Sequence, residues 1–125
     1  MFSLSVQTEF AAAHAIIIAG EREPLHGHNW RITATVSGPS LDREGLLCDF
    51  HVVEAALRSI TEPWHNRNLN DAAPFAAGLN PTAEHIARHI AQELGRSLSG
   101  RLPGGARVSE VRITEAPGCT AIYTP

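Results

Sequence analysis

Apolar and polar residues alternate along two early stretches of the chain, and this pattern predicts two β-strands. The first stretch runs from Phe2 to Phe10, and the second runs from Trp30 to Ser37, where the breaker pair Gly38-Pro39 follows. A period of two residues places one side of each strand against a core and leaves the other side polar. We therefore predict that the two strands pair antiparallel across a long loop over residues 15–25.

Two helices and then two further strands are predicted in the rest of the chain. A helix is predicted after Asp49, which is a suitable N-cap residue, and Pro63 ends it. A second helix is predicted from Glu84 to Leu98, after an irregular, asparagine-rich stretch whose length is typical of a functional loop. The last two strands are predicted over Arg107–Thr114 and Cys119–Tyr123.

The order strand, strand, helix, helix, strand, strand indicates an α+β fold. An antiparallel four-stranded sheet with both helices on one face is the packing that this order favours. The length of 125 residues fits a single domain over residues 1–125. The other face of the sheet and its edges then need cover, which a closed homo-oligomer would supply.

Composition and charge narrow the expected partners and the expected compartment. The net charge is −3 and no run of basic residues is present, which argues against a nucleic-acid or membrane partner. All ten cationic residues are arginine, so a guanidinium group would hold any anionic ligand. The two cysteines, Cys48 and Cys119, lack metal-ligand spacing, and no apolar segment is long enough to span a bilayer. We therefore expect a cytoplasmic protein in a reducing compartment.

Three histidines are placed where the predicted strand pair would bring them together. His26 and His28 lie two residues apart at the start of the second strand, so their side chains share one face. His14 ends the first strand and should lie beside them once the strands pair. Three histidines with an open fourth position are typical of catalytic zinc, although imidazole also suits other transition metals. Ordinary polar residues beside a loop are the alternative interpretation.

Five motifs resemble the 6-pyruvoyltetrahydropterin synthase family, which includes the 6-carboxytetrahydropterin synthases. The resemblance covers nearly the whole chain, and the order of the pieces matches that of the family. The motifs are Phe10-Ala-Ala-Ala-His14, His26-Gly-His28, Asp49-Phe50, Asn80-Pro-Thr-Ala-Glu84 and Val111-Arg-Ile-Thr-Glu115.

This resemblance implies a fold, an assembly and a set of site residues. It implies the tunnelling fold, with trimers that close a barrel, usually pair into hexamers and hold sites between subunits. It implies that His14, His26 and His28 bind zinc (Zn2+). It also implies that Glu115 grips the edge of a pterin by accepting two parallel N–H bonds, and that Thr82 and Glu84 help to bind that substrate. An exposed charge at a strand end is the alternative for Glu115.

The sequence departs from the family pattern at the residues that move protons. Arg22 stands where the family usually has a cysteine, and His65-Asn66 stands where it has an Asp-His pair. Glu23 resembles the glutamate of a subfamily, associated with folate synthesis, in which a carboxylate three residues before the His-Gly-His motif replaces the cysteine. Glu23 would then be the general base and His65 a general acid or relay. A solvated loop charge and a surface histidine are the respective alternatives.

The resemblance implies a zinc-dependent lyase that acts on the side chain of 7,8-dihydroneopterin triphosphate. A 6-carboxytetrahydropterin synthase of deazapurine synthesis is the first expectation. The alternatives are a folate-type variant that releases 6-hydroxymethyl-7,8-dihydropterin and a zinc-containing pterin-binding protein with little catalysis. Candidates for holding the triphosphate, chosen only by their position near the motifs, are Arg22, Arg67 and Arg112.

Overall fold

The computed structural model describes residues 1–125 as an antiparallel sheet with two helices packed on one face. Three short 3-10 turns lie between the helices, at Glu62–Trp64, Leu69–Asp71 and Phe75–Ala77. The elements in chain order are β1 (Phe2–His14), β2 (Ile17–Ile18), β3 (Glu21–Arg22), β4 (His26–Gly38), α1 (Phe50–Thr61), β5 (Arg67–Asn68), α2 (Ala83–Ser97), β6 (Arg107–Ala116) and β7 (Cys119–Tyr123). The predicted α+β architecture is confirmed.

The main sheet has five strands in the order β5-β1-β4-β6-β7, one more than predicted. The extra strand, β5, is only two residues long and pairs parallel with the end of β1 at Ala12 and Ala13. All four predicted strands are present, and only this fifth one in the main sheet was not predicted, because two residues are too short to show any periodicity. The predicted antiparallel pairing of the first two long strands is confirmed, from Phe2 opposite Gly38 to His14 opposite His26.

Both of these strands are longer than the alternating pattern indicated. The first continues through an alanine run to His14, and β4 begins at His26. Alanine and glycine carry little polar contrast, so the pattern ends before the strands do. The loop over residues 15–25 contains the small hairpin β2–β3, which turns at Ala19 and Gly20 with φ of 50° and 82°. Positive φ at both turn residues suits the two-residue hairpin turn that matches strand twist.

The helix caps agree with the sequence. The carboxylate of Asp49 accepts a hydrogen bond from the His51 N–H at 2.9 Å and starts α1, which ends just before Pro63. The hydroxyl of Thr82 accepts from the His85 N–H at 3.2 Å and starts α2 one residue earlier than predicted. No helix combines the length and the apolar character that crossing a membrane would require.

The face of the sheet that carries no helix is lined with hydroxyl groups. Ser37 hydrogen-bonds to both Ser3 and Ser109 at 2.7 Å, and Ser5 bonds to Thr35 at 2.9 Å. A surface whose polar groups are already paired can face water, so this face needs no apolar cover. Unpaired strand edges remain along the outer side of β7 and along β1 before Ala12.

His89 of α2 gives the first testable prediction. Its ring packs against Trp64 and Phe75, with ring centroids 5.6 Å and 6.4 Å away, and burial lowers its pKa below the ordinary 6.5. The unfolded chain therefore binds this proton more strongly, and the free energy of unfolding falls as the pH drops below about 6.5. We expect His89→Phe to flatten the loss of stability between pH 7 and pH 5, measured by urea midpoints. An unchanged slope would contradict this assignment.

Candidate metal centre and active site

Three histidine side chains converge on the helix-covered face of the sheet, at the end of the β1–β4 pair. His14 lies directly opposite His26 in the strand register, and His28 lies two residues farther along the same face. One ring nitrogen of each comes within 4.8 Å of the others. The Trp30 side chain, which is fully buried, packs against the rings of His14 and His28 with centroids 4.8 Å and 5.2 Å away. The convergence expected from strand pairing is therefore present.

Backbone carbonyls fix the orientation of two of the three rings. The Nδ1–H group of His14 donates to the Pro81 carbonyl at 2.8 Å, and that of His26 donates to the Pro24 carbonyl at 2.9 Å. A neutral imidazole that donates from Nδ1 presents a lone pair at Nε2. This is the outer-shell arrangement that sets the tautomer of a metal-binding histidine. The Nε2 atoms are therefore available as ligands.

Two of these nitrogens are buried without any hydrogen-bond partner. The Nε2 atoms of His14 and His28 are both in this state, although buried polar groups in proteins are nearly always paired. The Glu115 carboxylate oxygen lies 3.1 Å and 3.4 Å from these two atoms, without hydrogen-bond geometry. Lone pairs of nitrogen and carboxylate that face each other this closely repel unless a proton or a cation lies between them. The donor set therefore fits a divalent cation.

The electrostatics favour the neutral, ligating form of His28. Burial is the main cause that lowers the pKa of His28, and the nearby His14 and His26 lower it further, while Glu115 acts in the opposite direction. Metals bind the neutral form of imidazole, so the lowered pKa favours the form of His28 that could serve as a ligand.

Glu23 lies at the rim of the histidine cluster. Its carboxylate oxygen is 3.6 Å from the His26 Nε2 atom and accepts a hydrogen bond from the Ile16 N–H at 3.2 Å. Its own N–H donates to the Ile16 carbonyl at 3.0 Å, and its side chain is 26% exposed. The structure therefore places this carboxylate against a predicted ligand on one side and leaves it accessible on the other.

The three predicted substrate-binding residues line one cavity. Glu115, Thr82 and Glu84 surround a space of about 440 Å³, which Ile16 and Cys119 also border. Glu115 lines a second cavity, of about 550 Å³, together with His28. Because its carboxylate also contacts the histidine nitrogens, Glu115 lies at the junction between the histidine cluster and both cavities. Thr82 uses its hydroxyl to cap α2, as described above, so its side chain is already engaged.

His65 lies apart from the other predicted site residues. Its Nδ1 atom accepts a hydrogen bond from the Ala11 N–H at 3.1 Å, and no polar contact joins it to the three histidines or to Glu23. Asn66 follows in a left-handed conformation with φ of 57°, and its N–H donates to the Ala11 carbonyl at 2.7 Å. His65 and Asn66 therefore pair the backbone of Ala11 at the edge of β1. The role of His65 in proton transfer stays a prediction.

The structure separates the three candidate arginines. Arg67 lines a cavity of about 580 Å³ that His28 also borders. Arg22 is exposed on β3. Arg112 donates to the Glu110 carboxylate at 2.5 Å, a contact that raises its pKa, and it points to the face opposite Val111 and Ile113. Arg112 is therefore turned away from the histidine cluster.

The sequence interpretation missed the residues that fix the His14 ring and the backbone that follows it. The side chains of Asn70 and Asn80 each bind the backbone just after His14, and the Pro81 carbonyl fixes the His14 ring. The only signal for these contacts was the richness of the 64–82 stretch in asparagine. Their partners lie about sixty residues away in the chain, which no local pattern reveals.

Comparisons with known proteins agree on one family. A family model described as 6-pyruvoyl tetrahydropterin synthase matches residues 3–125. The 6-carboxy-5,6,7,8-tetrahydropterin synthase of Bacillus subtilis is 28% identical over 129 residues, which cover 99% of this chain and 86% of that protein. The protein of the same name from Rickettsia bellii is 24% identical over 140 residues, which cover 95% of this chain and 97% of that protein.

Solved structures share the fold. The 6-pyruvoyl tetrahydropterin synthase of Caenorhabditis elegans superposes with a TM-score of 0.83 at 19% identity, over 99% of this chain and 95% of that chain. A structure of the Plasmodium vivax 6-pyruvoyltetrahydropterin synthase superposes with a TM-score of 0.81 at 19% identity, over 99% of this chain and 97% of that chain. In that structure, a glutamate described as a catalytic residue is replaced by alanine.

Proposed function

The chain belongs to the 6-pyruvoyl tetrahydropterin synthase family, and from that premise we propose that it is a zinc-dependent lyase. The substrate that we propose is 7,8-dihydroneopterin triphosphate, and the bond that breaks lies in its side chain. The observation that carries the proposal is the pair of buried, unpartnered nitrogens of His14 and His28, both of which lie beside the Glu115 carboxylate. The names of the curated relatives support a 6-carboxytetrahydropterin synthase as the first form of this activity.

In this proposal, His14, His26 and His28 hold the metal through their Nε2 atoms. A divalent cation held there supplies a Lewis acid, which polarises the oxygens of the substrate side chain and acidifies the neighbouring C–H bonds of the substrate. The Pro81 and Pro24 carbonyls keep the His14 and His26 rings aimed, so no reorganisation of these ligands is needed when substrate arrives.

Glu23 is proposed as the general base that removes a proton from the substrate side chain. It has the accessibility and the fixed orientation that this role needs, because one oxygen is held by the Ile16 N–H at the rim of the cluster. Glu115 is proposed to bind the pterin ring from the junction of the two cavities, with Thr82 and Glu84 beside it. His65 is proposed as a relay to solvent, since its Nε2 atom is free of backbone contacts.

One observation favours a second candidate reaction. A carboxylate, and not a cysteine thiol, stands at the rim of the cluster, and Arg22 occupies the position of the usual cysteine. The Plasmodium vivax relative, with a catalytic glutamate by its description, supports a base of this type. The second candidate is the folate-type cleavage that releases 6-hydroxymethyl-7,8-dihydropterin.

The proposal includes a homo-oligomer, a trimer or a hexamer, whose sites lie between subunits. It also places the protein in the cytoplasm. The unpaired edges of β7 and of the first part of β1 support the homo-oligomer, because exposed edges in native proteins are usually covered.

Product identification tests the proposed function directly. The metal-loaded chain is incubated with 7,8-dihydroneopterin triphosphate, and the products are identified by mass spectrometry. We expect a pterin with a shortened or rearranged side chain, and 6-hydroxymethyl-7,8-dihydropterin would mark the second candidate. The chelator-treated chain is the control and should leave the substrate intact. Tight pterin binding without conversion would overturn the lyase and leave a zinc-containing binding protein.

A further inference from the structure

Side chains pair most of the backbone groups of the three residues that follow His14, on the approach to the short β2–β3 hairpin. Asn70 accepts from the Ala15 N–H and donates to the Ala15 carbonyl, both at 2.8 Å. Asn80 does the same for Ile17, at 2.9 Å and 3.0 Å. Between them, Ile16 exchanges two bonds with Glu23, as described above. Every backbone group from residue 15 to residue 17 is therefore paired by residues 70, 23 and 80.

Polar bonds are the main support of the exposed end of this segment. Ala15 is buried, but Ile17 and the next residue, Ile18, are 50% and 58% exposed, so little apolar packing fixes the chain from Ile17 onward. A primary amide offers a donor and an acceptor in one plane, as a peptide group of a paired strand does. We call Asn70 and Asn80 the amide clamp. Without it, the Ile16 N–H would not keep a fixed position under the carboxylate of Glu23.

The two clamp residues are themselves fixed. The Asn70 N–H donates to the Asn68 side chain at 3.0 Å. The Asn80 carbonyl accepts from the Thr82 N–H at 2.8 Å and from the ring of His85 at 2.7 Å. Each amide is thus mounted on a small hydrogen-bonded turn and delivers its two bonds from a defined direction. This organisation is typical of groups that orient a reacting residue.

We propose that the amide clamp is a pair of positioning residues that orients Glu23 for proton transfer. The inference rests on the proposed function, because it assumes that Glu23 is the base. The clamp acts through the Ile16 N–H, which binds the Glu23 oxygen that lies 3.6 Å from the His26 nitrogen. The metal ligands do not depend on it, since His14 is held by the Pro81 carbonyl and by its pairing with His26.

Kinetics of clamp variants test the proposal. We expect Asn70→Ala and Asn80→Ala each to lower kcat by about 10- to 100-fold, the range for a misplaced catalytic group, while KM and bound metal stay unchanged. In a Glu23→Gln background the same changes should lower kcat by less than about 2-fold, because a clamp that acts through Glu23 has nothing left to orient. Thr61→Ala is the matched control: it removes a hydroxyl that bonds the Leu57 carbonyl in α1, away from the cluster. Its kcat should stay within about 2-fold of the wild type.

Amide hydrogen exchange gives a readout that does not depend on turnover. In both clamp variants, protection of the Ile16 N–H should fall by about 10-fold or more relative to Ile32 in the centre of β4, and it should not fall in Thr61→Ala. Unchanged Ile16 protection overturns the clamp. Two results overturn the action of the clamp through Glu23. One is an equal loss of kcat from the clamp changes in the wild-type and Glu23→Gln backgrounds. The other is no loss of kcat in the clamp variants although Glu23→Gln alone is impaired. Absence of turnover in the wild type contradicts the proposed function instead, and exchange alone then decides the clamp.

Discussion

Replacement of His28 by alanine is expected to abolish metal binding and, with it, turnover. His28 supplies one of three converging ring nitrogens, and its Nε2 atom is buried without a hydrogen-bond partner. Loss of a partner that only orients a metal ligand already costs 10–100-fold in affinity, so loss of the ligand itself should cost more than about 100-fold. We expect metal content to fall from about one ion per chain to a trace, measured by elemental analysis after dialysis.

The matched control for this prediction is His51→Ala. His51 lies on α1 with its side chain 89% exposed, and that side chain bonds only to the Asp49 carboxylate. Its loss should leave metal content and kcat unchanged. A folded His28→Ala chain that keeps stoichiometric metal would show that the three histidines do not share an ion, and the proposed chemistry would lose its basis.

Replacement of Glu23 by glutamine is expected to lower kcat by about 10²- to 10⁴-fold, the range for a lost general base. Glutamine keeps the size of the side chain and an oxygen that can still accept from the Ile16 N–H, so the loop should stay in place. The amide has no proton-accepting charge, which confines the effect to proton transfer. Metal content should remain at the wild-type level, because the three converging nitrogens belong to histidines. The Glu23 carboxylate lies beside them, 3.6 Å from the His26 Nε2 atom, and is not part of that set.

Glu21→Gln is the control for Glu23. Glu21 lies two residues earlier on β3, is exposed and makes no side-chain contact to the cluster. The same change of charge there should alter kcat by less than about 2-fold. If instead Glu23→Gln turned over within about 3-fold of the wild type, Glu23 would be a loop charge, and the base would have to be sought elsewhere, first at His65.

Much of the site was predictable because strand geometry is encoded locally. The spacing of His26 and His28 guarantees a common face in any strand, and the position of His14 at the end of its strand follows from the sequence once pairing is assumed. The observed register places His14 opposite His26, which made the third nitrogen available. The starts of the helices were equally predictable, because the capping residues Asp49 and Thr82 lie within three residues of the backbone N–H groups that they bind.

The supporting contacts could not be predicted, because they join distant parts of the chain. The Pro81 carbonyl lies 67 residues from His14, and the side chains of Asn70 and Asn80 reach backbone 55 and 63 residues away. Such contacts depend on how the loop between the helices closes over the sheet, and the composition of that loop does not encode its path. The short strand β5 was missed for the same reason, since it exists only through its pairing with β1.

By itself, the sequence determined which side of each strand meets the core, where the helices begin and which histidines share a face, since these follow from periods of 2.0 and 3.6 residues. Only the tertiary structure decided which ring nitrogens point inward, which carboxylates stand beside them and what holds Glu23 in place. Those features arise from packing between segments far apart in sequence, where the partner of a polar group is set by the closure of the fold and not by its neighbours along the chain.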